Sequence, residues 1–400
     1  MLKLLVYIIL VLYLMSCSSS RKERKLETCD IVAHSCINHD NSLLVADVGK
    51  ARQRITISLS ELVSDWRLIK LENTSKEMMV STVCRIYLSE NYLIVSNIDN
   101  NVLLFNGEGK FQRKVGRVGN GPADILPGVI TVQIDEKREK IYLTDSQMRK
   151  MKMYCLSDAS YIGAIPLSFQ AITPSYMVNS QDSTILITHV PMNDSPAVLW
   201  KQDFQGNVLS SIVPKRFENP KGFWMLGTDA FYMWKNKDKI TLAILHNPAT
   251  NDSLYHYNES TNEVHPYFAV NFPGDAPDHW IYETSDFYMI TINGSTGGDI
   301  SSGYHNGPQQ RIIIDKKTGR GAYANIVLDG YGNIPITKQR FYMWGEYFTL
   351  TLSPEWVAEM AEKALAHPEY LKPGEKERLQ TLVDSITEED NIFIVYGKIK

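Results

Sequence analysis

Residues 92–124 read YLIVSNIDNNVLLFNGEGKFQRKVGRVGNGPAD, and the pattern of this stretch recurs through most of the chain. Short apolar or alternating runs are separated by clusters of Asn, Asp and Gly, the residues that favour turns. Such runs continue from about residue 80 to the end, and almost nothing helical interrupts them before Pro354. Runs of strand length at this spacing predict an all-β protein that repeats one small sheet.

Grouped in fours, the runs predict a six-bladed β-propeller. The first three blades would comprise the strands 84–88, 92–96, 102–105 and 111–115, then 130–134, 140–144, 151–156 and 161–166, then 176–178, 184–188, 198–202 and 208–213. The fourth and fifth blades would lie within 223–272 and 280–328. The sixth has runs at 341–344, 347–352 and 392–399 and lacks an outer strand, which residues 67–72 would supply. An N-terminal strand would thus close the ring and remove its open edge.

A helical insertion at residues 354–389 is predicted within the last blade. Ser353 is suited to be its N-cap, and Pro354 fits the first turn. Trp356, Met360 and Ala364 recur at helical spacing. The inserted helices would either form a lid over the mouth of the propeller channel or pack on its rim.

The N-terminus has the pattern of a lipoprotein signal peptide over residues 1–16. Lys3 is followed by an apolar run of secretory length, which is too short to span a bilayer. Ser16 supplies the small residue before the cleavage point. The thiol of Cys17 would accept the lipid, which would include a palmitate chain. Residues 17–50 are predicted to form the lipid anchor and a tether, and residues 51–400 the propeller.

Two stretches resemble NHL-type six-bladed propellers: residues 92–124 and residues 141–154, which read IYLTDSQMRKMKMY. Asp145 and Arg149 match the Asp and Arg of that pattern, whereas Asn97 and Asn101 stand in their places in the first blade. Taken whole, residues 50–400 resemble the six-bladed propeller lipoproteins of Bacteroidetes. That resemblance implies a fold and a location in the cell envelope rather than a reaction.

Charge and cysteine content restrict the function further. The net charge of −4 disfavours nucleic acid as a partner, because affinity for phosphate backbones comes from clustered Lys and Arg. Cys84 and Cys155 lie in strand-like runs and are expected in the core. Cys29 and Cys36 would either pair in an oxidising periplasm or remain free thiols.

The candidate site is a ring of polar residues, each following the second strand of a blade. In a propeller these positions open on one face, although they are 44 to 60 residues apart in the sequence. The ring comprises Asn97, Asp145, His189, His246, Asn293 and Ser353, and Trp356 of the insertion lies beside it. Converging imidazole and carboxylate groups can bind a divalent metal or transfer protons. A solvated polar rim is the alternative interpretation.

These observations predict a lipid-anchored binding module of the cell envelope, facing the periplasm. Its partners would be the membrane, through the lipid, and a glycan, peptide or protein held at one face of the propeller. The alternative is an envelope lyase or hydrolase that uses the rim of His189, His246 and Asp145. Its catalytic residues are not identified by any motif, and a divalent metal held by the two histidines would be its cofactor. A scaffold in a larger membrane complex is a third alternative.

Overall fold

A computed structural model describes residues 25–38, 41–73, 78–82, 84–97, 101–126, 131–144, 149–171, 174–190, 195–213, 217, 231–236, 239–245, 253–293, 309–337, 339, 341–387 and 389–400. The N-terminal elements are β1 (Ala33–Asn38), β2 (Asn41–Asp47), β3 (Arg54–Ser58), α1 (Leu59–Leu62) and β4 (Val63–Lys70). No helix within these ranges is long and apolar enough to cross a bilayer.

Six antiparallel sheets of four core strands follow, which confirms the predicted six-bladed propeller. Blades 1 to 3 contain β5 (Cys84–Leu88), β6 (Tyr92–Asn97), β7 (Val102–Asn106), β8 (Phe111–Lys114), β9 (Thr131–Asp135), β10 (Lys140–Thr144), β11 (Lys150–Cys155), β12 (Tyr161–Pro166), β13 (Ser175–Asn179), β14 (Thr184–Thr188), β15 (Leu199–Asp203) and β16 (Val208–Ile212).

The later blades keep the same plan. Blades 4 to 6 contain β17 (Phe231–Asn236), β18 (Lys239–Ile244), β19 (Ser253–Asn258), β20 (Glu263–Asn271), β21 (His279–Glu283), β22 (Phe287–Ile292), β23 (Gln310–Asp315), β24 (Gly321–Leu328), β25 (Ile334–Ile336), β26 (Phe341–Trp344), β27 (Tyr347–Leu352) and β28 (Phe393–Ile399). β25 is an additional short strand at the edge of blade 5.

The second strand of a blade is buried on both faces, because each sheet packs against its neighbours on either side. All five residues of β14 are buried, and so are Leu93, Ile94 and Val95 of β6. The outer strand β8 instead alternates between exposed and half-buried residues. Continuous apolar runs inside and alternating runs outside are therefore the sequence signal of the blades.

The ring is closed by an N-terminal strand, as predicted. β4 pairs antiparallel with β28, with Arg67 opposite Tyr396 and Lys70 opposite Phe393. The strand begins at Val63 and ends at Lys70, earlier than the predicted residues 67–72. β4 has a β-bulge opposite Gly397, where a Cβ would lie 2.6 Å from Cγ1 of Val63.

The predicted tether of residues 17–50 is wrong from residue 25 onward. β1 and β2 form a hairpin, and β2 pairs in parallel with β20, the outer strand of blade 4. β3 pairs in parallel with β24 of blade 5. The main hydrophobic core includes the buried side chains of Leu26, Cys29 and Val32. The residues of a flexible tether would instead be exposed to solvent. Residues 17–24 lie outside the described ranges.

The four described cysteines are free thiols, so Cys29 and Cys36 do not pair. Cys84 is a core residue as expected, and burial raises the pKa of its thiol to about 12. Cys155 is only half-buried, and its sulfur lies 3.1 Å from the hydroxyl of Ser157. The expectation of a core position was therefore wrong for Cys155.

The insertion forms two helices, α2 (Pro354–Leu365) and α3 (Glu375–Asp384). Ser353 is the N-cap, because its hydroxyl accepts a hydrogen bond from the backbone N–H of Trp356 at 3.3 Å. The helices pack beside blade 5, where the side chains of Ala364 and Leu371 leave no space for a Cβ at Gly332. This contact favours packing on the rim over a lid.

Candidate functional site

The predicted ring is described only in part. Asp145 and His246 lie outside the described residues, and so does the side chain of Asn97, the last residue of β6. Within the ranges that are described, no group of three or more His, Cys, Asp or Glu residues is arranged to hold a metal. A shared metal or an acid–base pair at His189, His246 and Asp145 therefore stays a prediction.

His189 directly follows β14 and is 1% exposed. Its Nε2 lies 2.7 Å from the carbonyl oxygen of Ala197, and its ring meets Trp200 edge-on at 5.5 Å. Burial lowers the pKa of His189 to about 4, so the imidazole is neutral at pH 7. The hydrogen bond joins the two ends of the connection between β14 and β15, which is a structural role.

Asn293 belongs to a chain of polar contacts across blade 5. Its amide donates to Oδ2 of Asp278 at 2.8 Å, and its Oδ1 accepts from Gln309 at 3.0 Å. Gln309 in turn accepts from Arg311 at 2.7 Å. Arg311 also donates to the carbonyl of Ile336 at 2.6 Å, so this chain ties the inner strands of blade 5 to the connection toward blade 6.

Trp356 lies in the first turn of α2, at the position expected from the sequence. Its side chain is half-buried and packs against the main hydrophobic core, as do Met360 and Ala364. The described candidate residues His189, Asn293 and Trp356 are thus held by neighbouring protein groups. Each of them contributes to the stability of its loop or helix.

A different feature forms a concave surface on the described part of the molecule. This groove has a volume of about 600 Å³ and lies between β4, the turn that precedes β8, the turn that follows β24, and α3. We call it the blade 6 groove. It is lined by Trp66, Arg67, Leu68, Ile69, Gly107, Glu108, Asp329, Tyr331 and Arg378.

Two aromatic rings form the apolar part of the blade 6 groove. The ring centroids of Trp66 and Tyr331 are 5.8 Å apart, with planes inclined by 44°. The guanidinium of Arg378 lies 5.6 Å from the centroid of Tyr331 and donates to the carbonyl of Gly330 at 2.5 Å. These contacts hold the rings and the guanidinium in place without closing the groove.

The remaining polar side chains of the groove differ in whether they make hydrogen bonds within the described chain. Asp329 accepts a hydrogen bond from the backbone N–H of Ser60 at 3.0 Å, which fixes its carboxylate. Arg67 and Glu108 are both exposed. Within the described chain, Arg67 has neither a hydrogen bond nor an ion pair from its side chain. A volume in the range of ligand pockets, an aromatic pair and a few oriented charges are typical of a binding site.

Sequence analysis did not identify the blade 6 groove. Its lining comes from four segments, around residues 66–69, 107–108, 329–331 and 378, and none of them contains a motif. Only the closure of the ring by β4 brings the first two segments together. The one available signal was Trp66 next to Arg67, where the strand predicted over residues 67–72 begins.

One solved structure superposes on this chain over most of its length. The structure of a Bacteroides fragilis protein assigned as exported superposes with a TM-score of 0.59 at 17% identity, over 87% of this chain and 100% of its own. A Bacteroides vulgatus member of the DUF4221 family gives a TM-score of 0.49 at 11% identity, over 85% of this chain and 97% of its own. No curated protein matches the chain.

A family model described as "Domain of unknown function (DUF4934)" matches residues 43–398. The match begins within β2 and ends within β28, so it includes all six blades and the closing strand β4. The chain therefore belongs to the DUF4934 family.

Proposed function

We propose that the protein is a lipid-anchored binding module of the cell envelope, with the blade 6 groove as its binding site. The observation that carries the proposal is the aromatic pair of Trp66 and Tyr331 inside a groove that also presents Arg67 and Arg378. A glycan, a peptide or a protein loop can stack on such rings and bond to the flanking charges. Export is supported by the assignment of the Bacteroides fragilis protein as exported.

In this proposal, Cys17 is the lipidated residue. The repeated pattern of residues 92–124 supports an NHL-type propeller. Lys25 is fixed to the propeller, since its ammonium donates to the carbonyl of Thr56 at 2.6 Å and to Glu61 at 2.8 Å. A chain from Cys17 to Lys25 spans roughly 30 Å when fully extended. The propeller is thus held close to the membrane, where its partners would be other envelope components facing the periplasm.

Replacing Cys17 tests the anchor. We expect Cys17→Ser to move the protein from the membrane fraction to the soluble envelope fraction, because a hydroxyl is not lipidated. Immunoblots of the two fractions and incorporation of labelled palmitate are the measurements. Cys155→Ser is the matched control, since Cys155 is a half-buried thiol of β11 and lies outside the predicted signal peptide and its cleavage site, and it should leave both readouts unchanged. Membrane association that survives Cys17→Ser would contradict lipidation at this residue.

Replacing Tyr331 tests the groove. The probes are an array of envelope oligosaccharides and a displayed library of random peptides, each screened against the purified protein from residue 25. We expect Tyr331→Ala to weaken binding of the selected probe at least tenfold, or about 1.4 kcal/mol, because half of the aromatic pair is lost. Titration calorimetry measures the affinity, and a thermal melt verifies folding.

Tyr370→Ala is the matched control for the groove. Tyr370 is a tyrosine of the helical insertion, is 77% exposed and does not line the blade 6 groove. Its replacement should leave the affinity unchanged. Equal losses in the two variants, or no loss in Tyr331→Ala, would show that binding takes place elsewhere.

A further inference from the structure

The floor of the blade 6 groove is an edge of a β-sheet that is open at Leu68. Farther along the same edge, the backbone N–H of Glu72 donates to the carbonyl of Gly109 at 2.8 Å. β4 is the last strand in the order β26-β27-β28-β4. The backbone N–H of Leu71 donates to the carbonyl of Ile392 at 3.1 Å, and Ile69 lies opposite Ile394. In an antiparallel ladder, residues whose backbone groups bond to the neighbouring strand alternate with residues whose backbone groups point away from it. The N–H and C=O of Leu68 therefore point away from β28, toward the groove. Neither has a hydrogen-bond partner among the described residues.

The chain itself adds strands to the blades on this side of the ring. β2 pairs in parallel with the outer strand of blade 4, and β3 pairs in parallel with β24 of blade 5. Blade 6 is the next blade, and no described strand covers its outer edge. The groove thus lies where a further extended segment would continue the series.

The other uncovered outer strands differ from β4. β8 carries Arg113 and Lys114, as β4 carries Arg67 and Lys70, so charge does not distinguish these two strands. β12 contains Gly163 and ends at Pro166, which are residues that discourage pairing at an edge. In blade 3, the carbonyl of Ser211 accepts a hydrogen bond from the side chain of Asn262 at 3.0 Å. None of these three strands lines the blade 6 groove.

Resting on the proposed function, we propose that the blade 6 groove binds an extended peptide segment of a partner protein by strand addition to β4. The backbone of the segment would bond to Leu68, and an apolar side chain would pack on Trp66 and Tyr331. An acidic side chain would pair with Arg67, which has no ion pair in the described chain. The charge of Arg67 also disfavours a second copy of this protein, because antiparallel pairing of two β4 strands would bring the two guanidinium groups near each other.

Backbone methylation of the peptide tests this inference. The strongest binder from the displayed library is synthesised with N-methyl groups on alternate amides, in the two possible registers. Because every second N–H of an added strand faces β4, one register should lose at least tenfold in affinity and the other should change little. A peptide held only by its side chains would not show this alternation.

Two variants of the protein complete the test. Leu68→Pro removes the outward N–H without removing a ladder bond, and we expect at least a tenfold loss of affinity with a near-normal melting temperature. If Leu68→Pro fails to fold, Arg67→Glu replaces it, with the exposed Lys114→Glu of β8 as its matched control. Arg67→Glu should weaken the binding of an acidic peptide at least fivefold, and Lys114→Glu should not change the affinity for that peptide.

The outcomes separate this inference from the proposed function. Peptide binding that depends on Tyr331 but is equally tolerant of both methylation registers would overturn strand addition and leave the binding module intact. Selection of an oligosaccharide and no peptide would do the same. A dimer that Leu68→Pro dissociates would overturn the partner and assign the edge to a second copy. Absence of any ligand at the groove would overturn both.

Discussion

A chain that begins at residue 73 is expected to aggregate, whereas a chain that begins at residue 25 is expected to be a stable monomer. The shorter chain lacks β4, so β28 becomes an unpaired edge strand, and the outer strands of blades 4 and 5 lose β2 and β3. Long unpaired edges promote association between chains. The ring would also be left with a three-stranded last blade.

The buried side chains that this truncation removes determine the size of the effect. Leu59, Leu62, Val63 and Leu71 are each at most 1% exposed. Each such residue contributes about 1.5–3 kcal/mol when buried, and a folded domain is stable by only about 5–15 kcal/mol in total. We therefore expect loss of the cooperative thermal transition rather than a small decrease in melting temperature.

Size-exclusion chromatography and circular-dichroism melts are the measurements. A chain that begins at residue 52 is the control, because it lacks the β1–β2 hairpin but retains β3 and β4. It should remain monomeric with a lowered melting temperature. A monomeric chain from residue 73 that melts like the chain from residue 25 would show that β4 does not hold the ring closed.

Most of the fold could be predicted because its signals are local. A blade is a run of apolar residues, a turn and another run, and the four strands of β5 to β8 are consecutive in sequence. The closing strand was also predictable, since the last blade lacked one strand and residues 67–72 offered a run of strand length just before the first blade. The β1–β2 hairpin was missed because β2 pairs with β20, more than 200 residues away, through backbone bonds that leave no mark on side-chain pattern.

The candidate site was less predictable, because a site depends on which side chains face one another. The strand order predicted that His189 directly follows β14. The sequence did not show that the carbonyl of Ala197 would bond to its imidazole ring. The blade 6 groove needed the bulge opposite Gly397 and the packing of α3 beside blade 5. Neither of these follows from the residues that line the groove.

Glu283→Leu is expected to be among the most destabilising single substitutions in the protein. Glu283 ends β21, and its side chain is 6% exposed. Its Oε1 lies 2.5 Å from Nζ of Lys316, and its Oε2 accepts from the hydroxyls of Tyr267 at 2.6 Å and Thr241 at 3.1 Å. One carboxylate thus joins two strands of blade 4 to blade 5.

Removing this carboxylate leaves the charge of Lys316 without its partner, in a position where the side chain is only 19% exposed. Burial lowers the pKa of Lys316 and the Glu283 carboxylate opposes that shift. Breaking a buried ion pair by removal of one member costs about 3–5 kcal/mol. We expect Glu283→Leu to lower the free energy of unfolding by that amount, measured by urea denaturation.

The double variant Glu283→Leu, Lys316→Met should recover much of the loss, since apolar replacement of both members of a buried pair is often close to neutral. Glu359→Leu is the matched control. Glu359 lies 2.5 Å from Lys363 on α2, but the two side chains are 59% and 64% exposed. An exposed pair of this kind contributes only about 0.5 kcal/mol, because water screens it. If Glu283→Leu costs no more than Glu359→Leu, the carboxylate does not join blades 4 and 5, and their contact depends on the apolar packing around it.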